Sequence, residues 1–365
     1  MAGRVLIITR ADSTVGYEHV LRSTTLSRHL RAELGADAQV VLLGDESSLD
    51  YARRQKEQAL FFPSWELRWA VRHRLLAELL QRRYPFYKPH VVVFDTYAFA
   101  DTYWGRGLFQ RLFPLSTFLG LDIYPHRSRH QRPERKAYQP VAFDFIVNSQ
   151  LAPFGGREGE LDGAQLYYGT DYLVLPLELL ATPHWRPPQR GDGAIPVFLG
   201  GGSSIVAHRV LSVLSSPRFE NRSFCFFSNH PKLAQKFARG GVTAEKLPRG
   251  VQFYRAFRSA TFGIVSCNPR IYDLIYLGVP LVTVPMGAHE VSTAQKAADA
   301  GFGLVVLPRE RDLEERLEQA MQRLDDPEFA QEQSRRGRLL IDGQGIHRVT
   351  AIVERALERA REKLA

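Results

Sequence analysis

Apolar runs alternate with segments of helical spacing through the first half of the chain. The runs are rich in valine, isoleucine, leucine and phenylalanine, which favours strands, and between them apolar residues recur every three or four positions, which favours helices. Because the runs are continuously apolar, both faces of each strand are expected to be covered, as in a parallel, doubly wound sheet. The predicted strands are 5–9, 39–43, 91–94, 117–121, 143–147 and 172–175, and the predicted helices are 20–34, 65–81 and 103–112.

A second series of the same kind begins at residue 195. The segment 181–193 between the two series holds three prolines and two glycines, which predicts an interdomain linker. We therefore predict an α/β chain of two Rossmann-like, doubly wound parallel-sheet domains, residues 1–182 and 195–340, with a linker at 183–194 and a cleft between the domains. The strands predicted in the second domain are 195–199, 224–227, 251–253, 262–265, 281–284 and 304–307, and a helix over 348–364 closes the chain.

Composition agrees with a folded protein of two domains. The 365 residues are 44% hydrophobic and 24% charged, which excludes wholesale disorder and allows a core in each domain. Cys225 and Cys267 lie in apolar runs and are expected to be buried thiols of a cytoplasmic protein. The N-terminus runs directly into a strand and no apolar stretch reaches the ~20 residues that cross a membrane, so we expect neither a secretion signal nor a membrane span.

The net charge of +9 leaves several partners open. A solvated, arginine-rich surface is one interpretation, and attraction to anionic lipid headgroups or to a phosphorylated substrate is another. Nucleic acid is disfavoured because no groove-reading motif accompanies the charge. The apolar cluster 61–65 beside the arginine-rich stretch 68–83 is a candidate for peripheral membrane contact, with a place in the core as the alternative.

The stretch from Arg10 to Arg22 is the first candidate for chemistry. It follows the predicted strand 5–9 and leads into a helix, and such loops lie at the carboxyl edge of a parallel sheet, where open α/β folds bind ligands. His19, where the helix begins, could act as a base, hydrogen-bond a leaving phosphate, or be a structural imidazole. Asp95, Thr96 and Tyr97 end the strand 91–94 and are expected close to His19.

Three segments of the second domain could contact a ligand. Glycines at 200–202 followed by Ser203 and Ser204 open a helix, so the turn is either a diphosphate-binding loop or a simple strand–helix connection. It lacks the lysine of a P-loop and the dinucleotide-binding fingerprint. Asp273, one turn into the next helix behind the capping residue Asn268, could hold a sugar diol or lie on the surface. The polar stretch 289–295 follows the strand 281–284, with Ser292 as a candidate helix cap.

Several of these segments resemble known families. The Arg10-x-Asp12, Gly16-x-x-His19-Val20-x-Arg22 pattern resembles the opening motif of the PseG/SpsG-type nucleotide-sugar hydrolases of pseudaminic acid biosynthesis and their spore-coat-polysaccharide relatives. Asp95-x-Tyr97 and the segment 342–349 resemble further motifs of that family. The second domain is similar to the MurG-like peptidoglycan N-acetylglucosaminyltransferases, in the glycine turn, in 266–273, in Gly278-x-Pro280 and in Pro285. Both families have the two-Rossmann GT-B fold, so the resemblance implies that residues 341–365 form a helix that packs back on the first domain.

The resemblance also implies roles for individual residues. His19 matches the catalytic histidine of the hydrolases and Tyr97 their active-site tyrosine, Asp12 lies in the opening motif, and His289 stands where they have an asparagine. Asp273 replaces the glutamate that binds ribose in the relatives, and Phe257 lies in a shortened form of their base-contacting helix. The implied catalytic residues are Asp12, His19, Tyr97 and His289, and the implied binding residues are Gly16, Gly201, Gly202, Ser203, Ser204, Phe257, Asp273, Ser292 and Thr293.

The leading hypothesis is metal-independent glycosyl transfer from a nucleoside-diphosphate sugar to an unknown acceptor. UDP is the expected nucleotide, and the sugar nucleotide is a substrate rather than a cofactor. No metal is expected, because backbone amides and helix N-termini can neutralise a leaving diphosphate. The sequence also has no Asp-x-Asp pair that would suggest a metal. Hydrolysis of the sugar–diphosphate bond, with water activated near His19 and Tyr97, is the close alternative. A binding protein without turnover is the third, and Glu18 and His289, which depart from the hydrolase pattern, motivate it.

Overall fold

A computed structural model of the protein describes residues 2–12, 17–63, 82, 88–95, 109–110, 112–121, 143–149, 157–161, 163–188, 193–200, 205–228, 241–248 and 250–365. The chain divides into two compact units, each of which holds one sheet. The first unit comprises Met1–Gln150, Gly156–Pro176 and Gln344–Ala365, and the second comprises Leu151–Gly155 and Leu177–Gly343.

The first unit is built on an eight-stranded sheet in the order β3-β2-β1-β4-β5-β6-β8-β7. Its strand pairs are parallel except β7 with β8, which form an antiparallel hairpin at one edge. The chain changes direction across the sheet between β1 and β4, the place where open α/β sheets bind ligands. The strands are β1 (Arg4–Ala11), β2 (Asp37–Gly44), β3 (Leu60–Pro63), β4 (Val91–Asp95), β5 (Thr117–Leu121), β6 (Phe145–Asn148), β7 (Arg157–Leu161) and β8 (Ala164–Tyr168).

Both faces of this sheet are covered, as the continuous apolar runs predict. Val5 and Ile7 of β1 belong to one apolar cluster, whereas Leu6 and Ile8 belong to another, because successive side chains of a strand point to opposite faces. The first cluster is completed by helix α1 (Glu18–Leu34) and by the last helix of the chain, α10 (Gly345–Leu364). The expectation that the C-terminal helix packs on the first domain is therefore confirmed.

The second unit holds a six-stranded parallel sheet in the order β11-β10-β9-β12-β13-β14. Its connections also change direction once, between β9 and β12. The strands are β9 (Ile195–Phe198), β10 (Phe224–Ser228), β11 (Val242–Lys246), β12 (Gly263–Val265), β13 (Leu281–Thr283) and β14 (Leu304–Val305). Its described helices are α3 (Leu177–Leu180), α4 (Ile205–Leu214), α5 (Val251–Arg258), α6 (Arg270–Leu277), α7 (Ala288–Asp299), α8 (Leu313–Asp325) and α9 (Pro327–Leu340). A further helix, α2 (Glu46–Arg54), belongs to the first unit.

Two predicted strands are wrong. Residues 251–253 begin helix α5, because Phe253, Tyr254 and Phe257 recur at helical spacing and bury one face. Residues 172–175 do not pair in the sheet: a 3-10 turn at Thr170–Tyr172 leads into a buried segment that lies beside the start of α10.

The predicted linker is also wrong. The units divide between Pro176 and Leu177, and residues 183–194 belong to the second unit. Trp185 is buried, and its backbone N–H donates to the carbonyl oxygen of Leu277 and its indole N–H to that of Ala260, each at 2.7 Å. The described part of this proline-rich segment is therefore held to the second unit through Trp185 and is not a free connection.

Some predictions fall where the structure gives no description. The predicted helix 65–81 lies outside the described residues, as does most of 103–112. Of the apolar cluster 61–65, Phe62 is buried in the first unit, in the same apolar cluster as Leu6 and Ile8, and residues 64 and 65 are outside the described part. Within the described residues, none of the helices combines the length and the apolar character that a membrane span requires.

Candidate functional site

The carboxyl ends of β1 and β4 bring the first candidate residues together. The two strands are parallel neighbours in which Thr9 pairs with Asp95, the last residue of β4. The chain leaves β1 and enters helix α1, whose second residue is His19. Because parallel strands end at the same edge of a sheet, His19 lies beside Asp95, as the sequence predicts.

His19 and Asp95 form a buried hydrogen-bonded pair. Nδ1 of the imidazole lies 2.8 Å from Oδ1 of the carboxylate. His19 is 6% exposed and Asp95 has no exposed surface. An ionised carboxylate can only accept a hydrogen bond, so we assign the hydrogen of this contact to Nδ1, from which Nη2 of Arg22 also lies 3.2 Å. In that tautomer Nε2 is the nitrogen through which a neutral ring can accept a proton. This is the arrangement that orients a histidine as a general base.

Arg22 and Ser23 complete the surroundings of the Asp95 carboxylate. Nε of Arg22 lies 3.2 and 3.1 Å from the two carboxylate oxygens, its Nη2 also donates to Oδ1, and the Ser23 hydroxyl donates to Oδ2 at 2.8 Å. Burial raises the pKa of Asp95, but the charge of Arg22 and the hydrogen bonds from His19 and Arg22 outweigh it and lower the pKa to about 2. Asp95 therefore stays ionised at neutral pH and holds the imidazole in one orientation.

The arrangement of His19, Arg22 and Ser23 follows from the position of the helix. Residues three and four apart lie on one face of an α-helix, so the side chains at positions 19, 22 and 23 all reach the end of β4. Asp95 could be placed near His19 from the sequence, but its partnership with Arg22 and Ser23 was missed. A histidine followed three residues later by arginine, at the start of a helix that follows a strand, is the signal that could have indicated it.

Asp12 and Glu18 flank this group. Asp12 is buried, and its Oδ2 accepts from Nε of Arg10 at 3.0 Å. Glu18 is half-buried and is the first residue of α1. A carboxylate in the first turn interacts favourably with the helix dipole, which gives a structural reason for an acidic residue beside His19.

Six of the predicted site residues lie outside the described part of the chain: Gly16, Tyr97, Gly201, Gly202, Ser203 and Ser204. The backbone of His289 lies in helix α7, and its side chain is also outside the described part. The roles of these residues stay predictions.

The residues that flank the predicted diphosphate turn are described. Gly200 follows β9 with a φ of +86°, a backbone conformation that residues other than glycine rarely adopt. Ser266, which follows the neighbouring strand β12, accepts a hydrogen bond at 2.7 Å from Nδ2 of Asn268. Oδ1 of Asn268 accepts from the backbone N–H of Arg270, the first residue of α6, at 2.9 Å, whereas Pro269 occupies the N-cap position itself.

Asp273 lies in helix α6 of the second unit and is buried. It is 9% exposed, and its Oδ2 accepts at 3.1 Å from the hydroxyl of Tyr254, which is itself buried in helix α5. The carboxylate therefore has a protein partner, and its role toward a ribose stays a prediction.

Phe257 does not lie where the sequence predicts a contact with a nucleotide base. Its ring has no exposed surface and packs at 4.8 Å from the ring of Phe253. A Cβ atom on Gly263 would lie 2.6 Å from the same ring, so glycine in β12 makes room for it. Phe257 fills the core between α5 and the sheet and is not available for contact with a nucleotide base.

The segment 288–295 also differs from the prediction. Helix α7 begins at Ala288, so Ser292 lies inside the helix and does not cap it. Ser292 is exposed and Thr293 is half-buried, which leaves both in a position where a ligand could reach them. Glu290 in the same helix is buried and was not singled out from the sequence.

A pocket of about 430 Å³ lies elsewhere in the second unit, around the loop from Gly301 to Gly303 that precedes β14. None of the predicted site residues lines it. Among the described residues, no group of three or more histidine, cysteine, aspartate or glutamate side chains is arranged to hold a metal ion.

Comparison with known proteins defines the class. No family model matches the chain. The spore coat polysaccharide biosynthesis protein SpsG of Bacillus subtilis (strain 168) is 25% identical over 225 residues, which cover 59% of this chain and 66% of SpsG, slightly less than two thirds of its length. The structure of MurG from Acinetobacter baumannii superposes with a TM-score of 0.62 at 14% identity, covering 97% of this chain and 100% of MurG.

A UDP-GlcNAc 2-epimerase from Neisseria meningitidis, solved with UDP-GlcNAc bound, has a TM-score of 0.64 at 12% identity and covers 96% of this chain and 100% of its own. The protein therefore has the GT-B fold, with two Rossmann-like units, one built on a mainly parallel sheet and the other on a parallel sheet. The resemblance to SpsG-type proteins, which the motifs predict, is confirmed in sequence, and the resemblance to MurG-type proteins is confirmed at the level of the fold.

Proposed function

We propose that this protein is a glycosyltransferase that takes its sugar from a nucleoside diphosphate, in the synthesis of a polysaccharide or another glycan. The observation that carries the proposal is the buried Asp95–His19 pair at the carboxyl edge of the first sheet of a GT-B fold. The similarity to SpsG, whose name refers to polysaccharide biosynthesis, supports the biosynthetic context.

His19 acts as the general base in this proposal. Its Nε2 takes the proton of an acceptor hydroxyl while that oxygen forms a bond to the anomeric carbon of the sugar. The bond from the anomeric carbon to the diphosphate breaks, and its electron pair leaves with the nucleoside diphosphate. Asp95 holds the ring through Nδ1 and stabilises the imidazolium that forms.

The second unit is assigned the binding of the nucleoside diphosphate. The amides of Gly201, Gly202, Ser203 and Ser204 would hold the phosphates, as glycine-rich turns before helices do. Asp273 would hold the ribose and Ser292 and Thr293 the donor, with UDP as the preferred nucleotide and without a metal ion. Several structural neighbours are named for UDP or UDP sugars, which supports this choice.

Hydrolysis is the second candidate function. The opening stretch that holds His19 resembles the nucleotide-sugar hydrolases, and an Asp–His pair can activate a water molecule as well as a sugar hydroxyl. In that reaction water replaces the acceptor and Tyr97 assists near His19. A separate proposal is that the basic residues of the protein contact a membrane surface on the side where the acceptor would bind.

Incubation of the purified protein with a panel of UDP, GDP, CDP and dTDP sugars tests the proposal. We expect release of nucleoside diphosphate that depends on an added acceptor, measured by chromatography. Free sugar formed at the same rate without any acceptor would establish hydrolysis instead. Binding of a nucleotide sugar without turnover, whatever acceptors are supplied, would leave only the binding function.

A further inference from the structure

Glu290 is a buried carboxylate that the proposed mechanism does not use. It lies in the first turn of helix α7 and is 8% exposed. Its Oε2 accepts two backbone hydrogen bonds, from the N–H of Met286 at 2.8 Å and from the N–H of Cys267 at 3.0 Å. One side-chain oxygen therefore receives two amides that are 19 residues apart in the sequence.

The two amides belong to loops that leave neighbouring strands. Cys267 follows β12 and Met286 follows β13, and these strands are parallel with Val265 opposite Thr283. The backbone hydrogen bonds of the sheet end just before these loops. The last ones run from the N–H of Ser266 to the carbonyl oxygen of Phe198 and from the N–H of Val284 to the carbonyl oxygen of Val265. Glu290 accepts from amides beyond that point, so it extends the connection between the two strands past the edge of the sheet.

Both loops lead into helices that carry candidate ligand-binding residues. The loop after β12 leads into α6 with Asp273, and the loop after β13 leads into α7 with Ser292 and Thr293. The contact with Cys267 is made by its backbone, and burial, with the charge of Glu290, raises the pKa of the Cys267 thiol to about 12. The thiol therefore stays protonated at neutral pH, and the hydrogen bond from the Cys267 backbone to Glu290 fixes the loop.

We propose that Glu290 is a positioning residue that holds the loops after β12 and β13 in the geometry that binds the nucleoside diphosphate. The inference rests on the proposed function, which assigns nucleotide binding to the second unit. Removal of the carboxylate leaves two buried amides without this acceptor, and the loops must move to satisfy them. A glutamine side chain keeps a carbonyl oxygen that can accept both bonds, so it preserves the geometry while it removes the charge.

The test measures binding of UDP, GDP, CDP and dTDP to the full-length protein by titration calorimetry, and turnover of the best nucleotide sugar. We expect Glu290→Ala to raise the Kd of the nucleotide and the KM of the sugar nucleotide about tenfold or more, with kcat nearly unchanged. Glu290→Gln should restore most of the affinity. Hydrogen exchange of the amides of Cys267 and Met286 should be faster in Glu290→Ala and close to wild type in Glu290→Gln.

Glu57→Ala is the matched control. Glu57 is 3% exposed in the first unit, where it binds Arg31 and Ser27. Its replacement also removes a buried carboxylate, but it should leave the nucleotide Kd unchanged.

The outcomes separate the two proposals. If the wild-type protein binds a nucleotide and Glu290→Ala binds it equally well, the positioning role is wrong and the proposed function stands. A Glu290→Gln variant as weak as Glu290→Ala would also overturn the positioning role. If the wild-type protein binds none of the four nucleotides, the proposed function fails and the positioning role fails with it.

Discussion

Asp95 is the residue on which the first candidate site depends. A buried charge destabilises the fold unless it is paired and hydrogen-bonded. Here one carboxylate accepts hydrogen bonds from Arg22, Ser23 and His19. The same contacts that stabilise the charge also fix the imidazole ring. Stability and orientation of the proposed base are therefore properties of a single ion cluster.

The low pKa of Asp95 predicts how stability depends on pH. Its folded pKa of about 2 is below its ordinary value of 3.8, so the ionised carboxylate stabilises the fold above about pH 4, and this contribution is lost as the pH falls toward 2. Asp95→Asn should lower the free energy of unfolding at pH 7 by about 3 kcal/mol, because Arg22 loses its partner. The gap between wild type and variant should narrow by about 2 kcal/mol as the pH falls through that range.

Urea unfolding at a series of pH values measures this gap. Asp50→Asn is the control, since Asp50 is an exposed residue of α2 whose carboxylate lies 3.7 Å from Arg53, and surface pairs of this kind contribute little. A gap between wild type and Asp95→Asn that stays constant from pH 5 to pH 3 would show that the Asp95 carboxylate does not have a lowered pKa.

Only part of the site could be predicted from the sequence. His19 and Asp95 are polar residues at the ends of apolar runs, so their position at the carboxyl edge follows from the pattern. Glu290 and the burial of Phe257 depend on which side chains meet after the helices pack on the sheet. The spacing of the aromatic residues in α5 fits a strand as well as a helix, and no spacing along the chain brings Glu290 to the loops after β12 and β13.

Helix α10 is the element that completes the first unit. Val349, Ile352, Val353 and Ala356 have no exposed surface and form one face of the core with the sheet. The helix starts at Gly345, which lies against the backbone of Leu173, so closely that a Cβ atom would overlap the Leu173 carbonyl oxygen. A glycine is required there by close approach of two backbones.

Gly345→Ala should therefore destabilise the protein. We expect a loss of about 2 kcal/mol in the free energy of unfolding, because α10 must shift away from the segment it covers. Chemical denaturation followed by circular dichroism provides the measurement. Gly159→Ala is the control, since nothing lies within 4 Å of a Cβ atom at that position. Equal stability of the two variants would contradict the close approach.

Elements were predicted well where a pattern is long and buried on both faces. The strands β1, β2, β4 and β5 and the helix α1 appear where the sequence indicates them. The edge strand β11 was missed, because only Val242 is buried and the strand ends in Glu245 and Lys246. In α5, a short run of valine and aromatic residues satisfies strand and helix patterns alike, and packing of the aromatic face decided the outcome.

At the scale of the whole molecule, the sequence predicts two parallel sheets and the closing helix, and the GT-B neighbours agree. The division between the units is the part it misses. The first unit is assembled from three stretches of chain, and the second begins at Leu177, before the proline-rich segment. Composition marks where a chain is irregular, whereas a domain boundary is set by which core each segment joins, as the buried Trp185 shows.

In the proposed function, His19, held by Asp95, is the base of a nucleotide-sugar reaction. The most direct measurement is the steady-state rate of nucleoside diphosphate release by His19→Ala, with the sugar nucleotide and acceptor that the wild type uses. His29→Ala is the control, because His29 lies on the same helix and packs 4.8 Å from His347 instead. We predict that kcat falls by about 10² to 10⁴ in His19→Ala, while the nucleotide Kd stays unchanged and His29→Ala retains the wild-type rate. A His19→Ala variant with wild-type kcat would contradict the account.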